Sequence, residues 1–427
     1  MSGSTLLRRI DWLTILLMCS LMLFGWVNIY STTVTEDFTS VFDYQTYYGK
    51  QLVFIIISLL VVFPVLIIES SFFERFSSII YLSAIVLLAG LFVFGKEISG
   101  ATSWYGLGFF NLQPSEFAKM ATALALAKYL SDIQTDIRVR KYQIYAILII
   151  FLPALLVLPQ PDPGSALVYL SLFFVLFREG LPLYYLFFAF ILVILFVTTL
   201  MFGTIWVAIG LGIFISLFFL LKKPTLVIPT GPLLGFIVVA MTISLSVDFI
   251  YTEVFEQRHR DRFDLWLRLE KDPSKLEKIR KSIGYNTYQA EKAIESGGFN
   301  GKGFMEGTRT KGKFVPEQHT DYIFSSVGEE WGFIGTAGVI MLFSLLLLRL
   351  VFIAERQRRE FNRMYGYGVV SILLIHYGIN IGMVLGLLPT IGIPLPFFSY
   401  GGSSQLFFSL LIFIMLKLDA NRLRDGI

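Results

Sequence analysis

Apolar residues in this chain fall in long unbroken stretches, not in the alternating pattern of a half-buried strand. Trp12–Tyr30, Leu52–Ile68 and Tyr322–Phe352 approach or exceed the roughly 20 residues that a bilayer crossing needs. The hydropathy criterion predicts about twelve spans, at 12–31, 51–69, 79–95, 114–131, 144–159, 165–178, 183–202, 203–221, 228–250, 322–349, 366–388 and 403–418. Gly203 is the only punctuation between the seventh and the eighth. The pattern therefore predicts an all-α polytopic membrane protein, a bundle of about 10–12 transmembrane helices. No polar linker separates the apolar runs, so residues 1–427 read as a single transmembrane domain.

Composition agrees. The chain is 55% hydrophobic and 15% charged, where a soluble domain carries roughly a quarter charged residues. The placement of charge says more than the net value of +4. Arg8/Arg9, Arg75, Arg138/Arg140/Lys141, Arg178, Lys222/Lys223, Arg356/Arg358/Arg359 and Lys417/Arg422/Arg424 share one side if every span is real. The opposite short loops hold Lys50 and Lys96, but also Glu36, Asp37, Asp43 and Glu97. The positive-inside rule then makes both termini cytoplasmic. The run after Arg8 and Arg9 is long and lacks a clean cleavage pattern, so it reads as a retained first span and not a signal peptide. The single cysteine, Cys19, excludes disulfides, and no basic tail points to nucleic acid.

One outer segment stands apart. Between about residues 251 and 321 the chain turns polar, long enough to be a functional loop. It holds helical stretches at Phe255–Leu269, Pro273–Ile283 and Thr287–Ile294, then the glycine-rich run from Ser296 to Phe304. Phe263, Leu265 and Trp266 interleave with Arg258, Arg260, Arg262 and Arg268, which predicts contact with the membrane surface.

The residues able to carry chemistry concentrate near that side. Asp321 stands where the large loop re-enters the membrane. Its plain reading is a helix N-cap; its functional reading is a base that a helix N-terminus keeps ionised. Glu116 and Lys119 lie three apart on one helix face, and charge inside a span is paired or functional. Asp162, bracketed by Pro161 and Pro163, marks a tight turn. Lys302 in the glycine run offers a pyrophosphate contact, with a solvated flexible turn as the plainer account. Glu329 and Glu330 point about 100° apart, so they cannot share one cavity. HExxH, Walker and strand-linked GxGxxG patterns are absent. The three histidines, His259, His319 and His376, are too few for a His-rich metal site. Glu317, His319 and Asp321 alternate and form a weak signal for a hard cation.

Five blocks in order resemble the SEDS family of peptidoglycan glycosyltransferases, elongation-type (RodA) branch. They are Arg9-Ile10-Asp11-Trp12; Gly100 to Trp104 with Asn111 to Lys119; Gln160-Pro161-Asp162-Pro163-Gly164; Gly297 to Gly303 with Pro316 to Asp321 and Gly328-Glu329-Glu330; and Pro389 to Phe397 running into Ser399-Tyr400-Gly401-Gly402-Ser403-Ser404. Gly392-Ile393-Pro394-Leu395-Pro396-Phe397 looks more like the elongation branch than the division branch (FtsW). The family is usually described with ten spans, and the surplus pair here lies at about 183–221. Many relatives carry a basic residue where this chain has Ser103, before Trp104.

The resemblance implies polymerisation of lipid II into a growing glycan strand at the outer face of the bacterial cytoplasmic membrane. Asp321 would be the general base, with inverting displacement of undecaprenyl pyrophosphate. Lys302, Arg258 or a divalent cation (Mg2+ or Mn2+) would meet the pyrophosphate. Trp104, Glu116, Lys119, Gln160, Asp162, Glu317, His319, Thr320, Ser399 and Ser403 would line the substrate. The implied partners are a class B penicillin-binding protein and other elongation-machinery membrane proteins. A flippase for the same lipid or a secondary transporter is the rival class, and inverted repeats would favour it; the halves show none.

Overall fold

The computed structural model describes residues 9–422 apart from 35–39, 99, 107, 109, 222–229, 256, 268, 270–271, 273–276, 278–283 and 313–317. Arg8, Glu36, Asp37, Lys222, Lys223, Arg268, Glu317, Arg424 and most of the expected helix Pro273–Ile283 lie outside the described residues. Among the described residues the twelve predicted spans fall on helical segments, those at 51–69 and 165–178 each on two consecutive helices. Eight helices among the described residues are long and apolar enough to cross a membrane, so this is a multi-span membrane protein. The chain divides into two compact units, Met1–Leu181 with Asn286–Ile427, and Pro182–Tyr285.

The larger unit opens with α1 (Trp12–Thr33). Asp11 caps it by accepting the Thr14 N–H at 3.1 Å, a typical cap for the first free donors of a helix. There follow α2 (Tyr47–Leu60), α3 (Val62–Ile67), α4 (Ser70–Arg75) and α5 (Ser77–Phe94). The chain then forms a small antiparallel sheet, β1 (Lys96–Ile98), β2 (Ala101–Gly106) and β3 (Asn111–Leu112), an addition to the all-α expectation. Next come α6 (Pro114–Leu130), α7 (Arg140–Val157), α8 (Pro163–Tyr169) and, past a 3-10 turn, α9 (Phe173–Arg178). The predicted span 165–178 is thus a broken helix.

The smaller unit holds α10 (Tyr184–Phe202), α11 (Thr204–Leu221), α12 (Thr230–Phe249) and α13 (Gln257–Leu267). Gly203, with φ +81°, ends α10, as its lone position between two apolar runs predicted. The described part of the loop is folded here. The Tyr251 hydroxyl donates to the Asp264 carboxylate, and Phe263 of α13 packs edge-on against Phe196 of α10 at 5.5 Å.

The larger unit resumes with α14 (Tyr285–Gly297), α15 (Thr308–Lys311), α16 (Ile323–Glu355), α17 (Glu360–Val384) and α18 (Gly402–Asn421). Burial separates its centre from its rim. In α18, 83% of the apolar window is buried; in α2 with α3 the share is 22%. The short helix α6 is buried on nearly every side, against α5, α7 and α17. Its alanines at 118, 121, 123, 125 and 127 let neighbouring backbones approach closely. That enclosure is why Glu116 and Lys119 can sit inside a span without facing lipid.

The long helix α16 breaks at Gly332, which takes φ +64° and ψ −156°. A break strands backbone groups that water cannot reach in a membrane. The glycine run fills it. Lys302 N–H donates to Glu329 O at 3.0 Å and Gly303 N–H to Glu330 O at 3.0 Å. In return Phe333 N–H donates to Gly298 O at 2.9 Å and Ile334 N–H to Phe299 O at 3.3 Å. A Cβ at Gly301 would lie 2.2 Å from Glu330 O, so only glycine fits. The expectation of a flexible solvated turn is therefore corrected: the run is docked into a helix break.

At the opposite end of the bundle, the first sequence block is an ion-pair clamp. Asp11 accepts from Arg349 Nε at 3.2 Å and from Arg356 at 3.3 Å. Arg356 continues to Asp419 (Nε to Oδ1, 2.8 Å), which Arg422 and Gln357 also reach. One cluster thus ties α1 to α16 and α18. Burial opposes ionisation of Asp11, but its bonds from Arg349 and Thr14 outweigh that and hold its carboxyl below the usual range.

Candidate active site

The chemistry-bearing residues of the larger unit gather around the loop 389–401, which joins α17 to α18. Gly392 takes φ +81°, a conformation that favours glycine, and a Cβ there would lie 3.3 Å from Asp321 Oδ2. From the other side, a Cβ at Gly164 would lie 3.2 Å from Gly392 O. The loop therefore passes between Asp321 and the start of α8, the third and fourth sequence blocks. Asn380 of α17 ties it down, donating from Nδ2 to Ile393 O at 2.7 Å and to Asp321 O at 2.9 Å.

Asp321 is half-buried and precedes α16, whose N-cap is Tyr322. The helix-cap reading of Asp321 is corrected accordingly, because the helix starts one residue too late for it. Asp162 does cap a helix. Its Oδ1 accepts the Ser165 N–H at 3.0 Å, and its Oδ2 accepts from Gln113 Nε2 at 3.0 Å.

Below the loop lies the buried pair. Lys119 Nζ stands 2.7 Å from Glu116 Oε1 and 2.9 Å from His376 Nε2. Glu116 Oε2 is buried and finds no hydrogen-bond partner among the described residues. A buried acceptor without a donor is costly unless something else binds there.

Three predicted substrate contacts hydrogen-bond to the backbone. Ser399 Oγ donates to Thr320 O at 2.6 Å and accepts from Leu395 N–H at 2.9 Å. Ser403 Oγ donates to Asn111 O at 2.7 Å and accepts from Gln113 N–H at 3.2 Å. Gln160 Nε2 donates to Leu88 O at 3.0 Å. The two serine hydroxyls thus hold backbone groups, while Gln160 Oε1 is buried with no hydrogen-bond partner among the described residues. Lys302 is also committed: it pairs with Glu329 at 2.6 Å and donates to Thr308 at 2.8 Å.

An aromatic rim completes the cleft. The His319 ring lies 4.3 Å from Tyr47 and 5.5 Å from Tyr400, and the Tyr400 N–H donates to His319 O at 2.9 Å. Burial, with Tyr47 and Tyr44 nearby, pushes the Tyr400 hydroxyl up to about 12, so it stays neutral. Beneath this rim an apolar cavity of about 470 Å³ is lined by Tyr44, Val53, Phe54, Ile57, Phe110 and Leu406. The Lys50 ammonium stands over the Tyr44 ring at 5.9 Å. Trp104 is half-buried on β2, and its neighbour Ser103 is 1% exposed, its hydroxyl without a hydrogen-bond partner among the described residues. Arg258 belongs to α13 of the smaller unit, and Glu317 lies outside the described residues. Among the described residues, no three His, Cys, Asp or Glu side chains gather as a metal site would need.

Tyr47, Lys50, His376 and Asn380 were not picked out by motif. The available signal was two polar residues four apart, 376 and 380, on an otherwise apolar helix.

A family model described as cell cycle protein, covering FtsW, RodA and SpoVE, matches residues 11–423. The peptidoglycan glycosyltransferase RodA of Treponema pallidum is 31% identical over 97% of this chain and 98% of its own. The peptidoglycan glycosyltransferase MrdB of Escherichia coli (strain K12) is 32% identical over 78% of this chain and 74% of its own. The probable peptidoglycan glycosyltransferase FtsW of Trichlorobacter lovleyi is 28% identical over 97% and 94%. Among solved structures, a chain from a peptidoglycan synthase complex that coordinates polymerization and crosslinking aligns with TM-score 0.70 at 26% identity, over 97% of this chain and 98% of that one. The rod shape determining protein RodA of Thermus thermophilus shares the fold, with TM-score 0.60 at 23% identity over 97% of each chain.

Proposed function

This chain belongs to the FtsW/RodA/SpoVE family, and we propose that it is a peptidoglycan glycosyltransferase polymerising lipid II, with Asp321 as general base. The observation that carries the reading is the convergence of Asp321, the Asp162 cap and the Glu116–Lys119 pair around the loop at Gly392. In the reaction, the 4-hydroxyl of the acceptor sugar attacks the anomeric carbon of the donor. A bond forms between that oxygen and carbon as the bond to the pyrophosphate breaks, with inversion. Asp321 takes the hydroxyl proton, and undecaprenyl pyrophosphate leaves with the bonding pair. Glu116 Oε2, lacking a donor among the described residues, accepts from a sugar hydroxyl or amide of the bound substrate. The apolar cavity beside Tyr44 and Leu406 suits the lipid tail, and Lys50 at its edge supplies positive charge for the leaving pyrophosphate.

The elongation-type branch is favoured by the Gly392-to-Phe397 segment and by the RodA and MrdB relatives; FtsW relatives make the division branch the alternative. The synthase-complex relative supports a crosslinking partner, a class B penicillin-binding protein, docking on residues 333–350 and 371–388. The charge pattern supports cytoplasmic termini and an outward-facing site. Reporter fusions at Lys222 and Arg356 should read cytoplasmic and one at Ser296 external; a cytoplasmic signal at Ser296 reverses the orientation.

Purified protein in detergent with labelled lipid II tests the reaction itself. A polymerase lengthens glycan strands without a membrane, whereas a flippase leaves lipid II unchanged.

A further inference from the structure

One buried imidazole takes no part in the proton transfer at Asp321. His376 is 1% exposed and stands 2.9 Å from the Lys119 ammonium through Nε2. An ammonium only donates hydrogen bonds, so Nε2 must present its lone pair. The ring proton is then on Nδ1, which faces Pro394 O at 3.3 Å. That contact fixes the tautomer. The ammonium is caged on its remaining side by Phe408, whose ring centroid lies 5.8 Å away. The same ring meets His376 edge-on at 4.8 Å.

One helical turn further, Asn380 holds Ile393 O and Asp321 O. Residues 376 and 380 share a face of α17. Together they grip two consecutive carbonyls of the loop, those of Ile393 and Pro394. They also hold two of the site's charged residues: Lys119 through the imidazole, and Asp321 through its backbone. A single rigid helix therefore sets the spacing between the base and the Glu116–Lys119 pair.

We propose that His376 is a positioning residue, which holds the Lys119 ammonium against Glu116 Oε1 and so aims Glu116 Oε2 at the bound sugar. The proposal rests on the reading of Asp321 as base and of Glu116 as a substrate contact. It needs a neutral acceptor at position 376, not a titrating one.

The test compares His376→Phe with His376→Gln in lipid II polymerisation by purified, folded protein. Phe keeps the packing but offers Lys119 no acceptor. Gln offers an amide oxygen to Lys119 and an N–H to Pro394. His376→Phe should lose about 10- to 100-fold in kcat, the scale of a small displacement of a reacting group. Its KM for lipid II should rise by at most about fivefold, the scale of one weakened hydrogen bond from Glu116 Oε2 to the substrate. His376→Gln should recover to within about threefold of wild type, with the acid limb of its pH profile unmoved. If His376→Phe does not accumulate, Lys119→Met is compared with Lys119→Met/His376→Phe, which removes the ammonium along with its acceptor. Equal activity of those two supports the inference.

Three results overturn it: near wild-type polymerisation by His376→Phe; a His376→Gln variant as inactive as Phe and missing its acid limb; or a further loss in the double variant beyond Lys119→Met. Asp321→Asn is assayed in parallel. If that variant polymerises normally the reading of the base fails, whatever position 376 does.

Discussion

Glu116 and Glu329 are both buried carboxylates in the larger unit, 2% and 0% exposed, and each holds one lysine, at 2.7 and 2.6 Å. They differ in what reaches the rest of the carboxylate. Glu329 is filled on both oxygens. Its Oε1 accepts from Lys302 and from Arg309 N–H at 3.0 Å, and its Oε2 accepts from Thr310 N–H at 2.8 Å and Thr310 Oγ1 at 2.6 Å. Glu116 Oε2 has no donor among the described residues. A closed network stabilises and specifies a fold, whereas a buried oxygen without a donor, as at Glu116 Oε2 and also at Glu330 Oε2, leaves an acceptor open. Glu329 therefore anchors the glycine run to the broken helix, and the proposed function assigns Glu116, which Lys119 and His376 link to the loop at Pro394, to the site.

The comparison breaks most readily at Glu116. Glu116→Gln keeps the shape and removes the charge. Polymerisation per folded molecule should fall about 10²-fold, the scale of a mispositioned catalytic group. Glu329→Gln should behave in the opposite way. Breaking a fully buried ion pair costs about 3–5 kcal/mol, and partial exposure of Lys302, at 26%, reduces that to roughly 2–3 kcal/mol. Its thermal midpoint and membrane accumulation should drop, while the folded fraction polymerises within about threefold of wild type. If the two variants exchange these phenotypes, the assignment of Glu116 to the site fails.

A smaller effect is expected at the far clamp. Asp11→Asn should lower the thermal midpoint by an amount equivalent to about 1–2 kcal/mol, since its arginines are partly exposed. The pH dependence has a definite sign. The folded-state pKa of Asp11 lies below its ordinary value of 3.8, so the clamp is fully present above that value and is lost as pH falls through the folded pKa. Wild-type protein should therefore lose its advantage over Asp11→Asn on acidification below about pH 4, measured by thermal unfolding in detergent. The smallest effect belongs to Ser403→Ala. Its hydroxyl holds only backbone, so polymerisation should fall about two- to fivefold, as for loss of one neutral hydrogen bond. A loss as deep as that of Glu116→Gln would restore Ser403 to the substrate.

Much of this was legible in the sequence because membrane burial writes itself into hydropathy. The spans, the break at Gly203, the folded loop and the blocks around Asp162 and Asp321 all fall where apolar runs and turn residues put them. The roles of Ser399, Ser403 and Lys302 were not legible, since a hydroxyl or ammonium looks the same whether it meets a ligand or a distant backbone. The glycine run was misleading for a related reason. Its role depends on a helix break at Gly332, some thirty residues away, where a glycine two residues after Glu330 does not by itself announce a break. His376 and Asn380 stayed hidden because α17 is buried around most of its surface, which erases the polar stripe that marks a functional face.

The central claim is that Asp321 takes the acceptor proton. Asp321→Asn keeps the size of the side chain, while the Asn380 bond to its backbone carbonyl is untouched. General-base catalysis contributes about 10²–10⁴-fold. Single-turnover polymerisation of labelled lipid II by purified Asp321→Asn should fall by that factor, with lipid II binding and thermal midpoint close to wild type. Polymer formed by stable Asp321→Asn protein at a rate near wild type would contradict the account, and Asp162 or Glu116 would become the next candidates for the base.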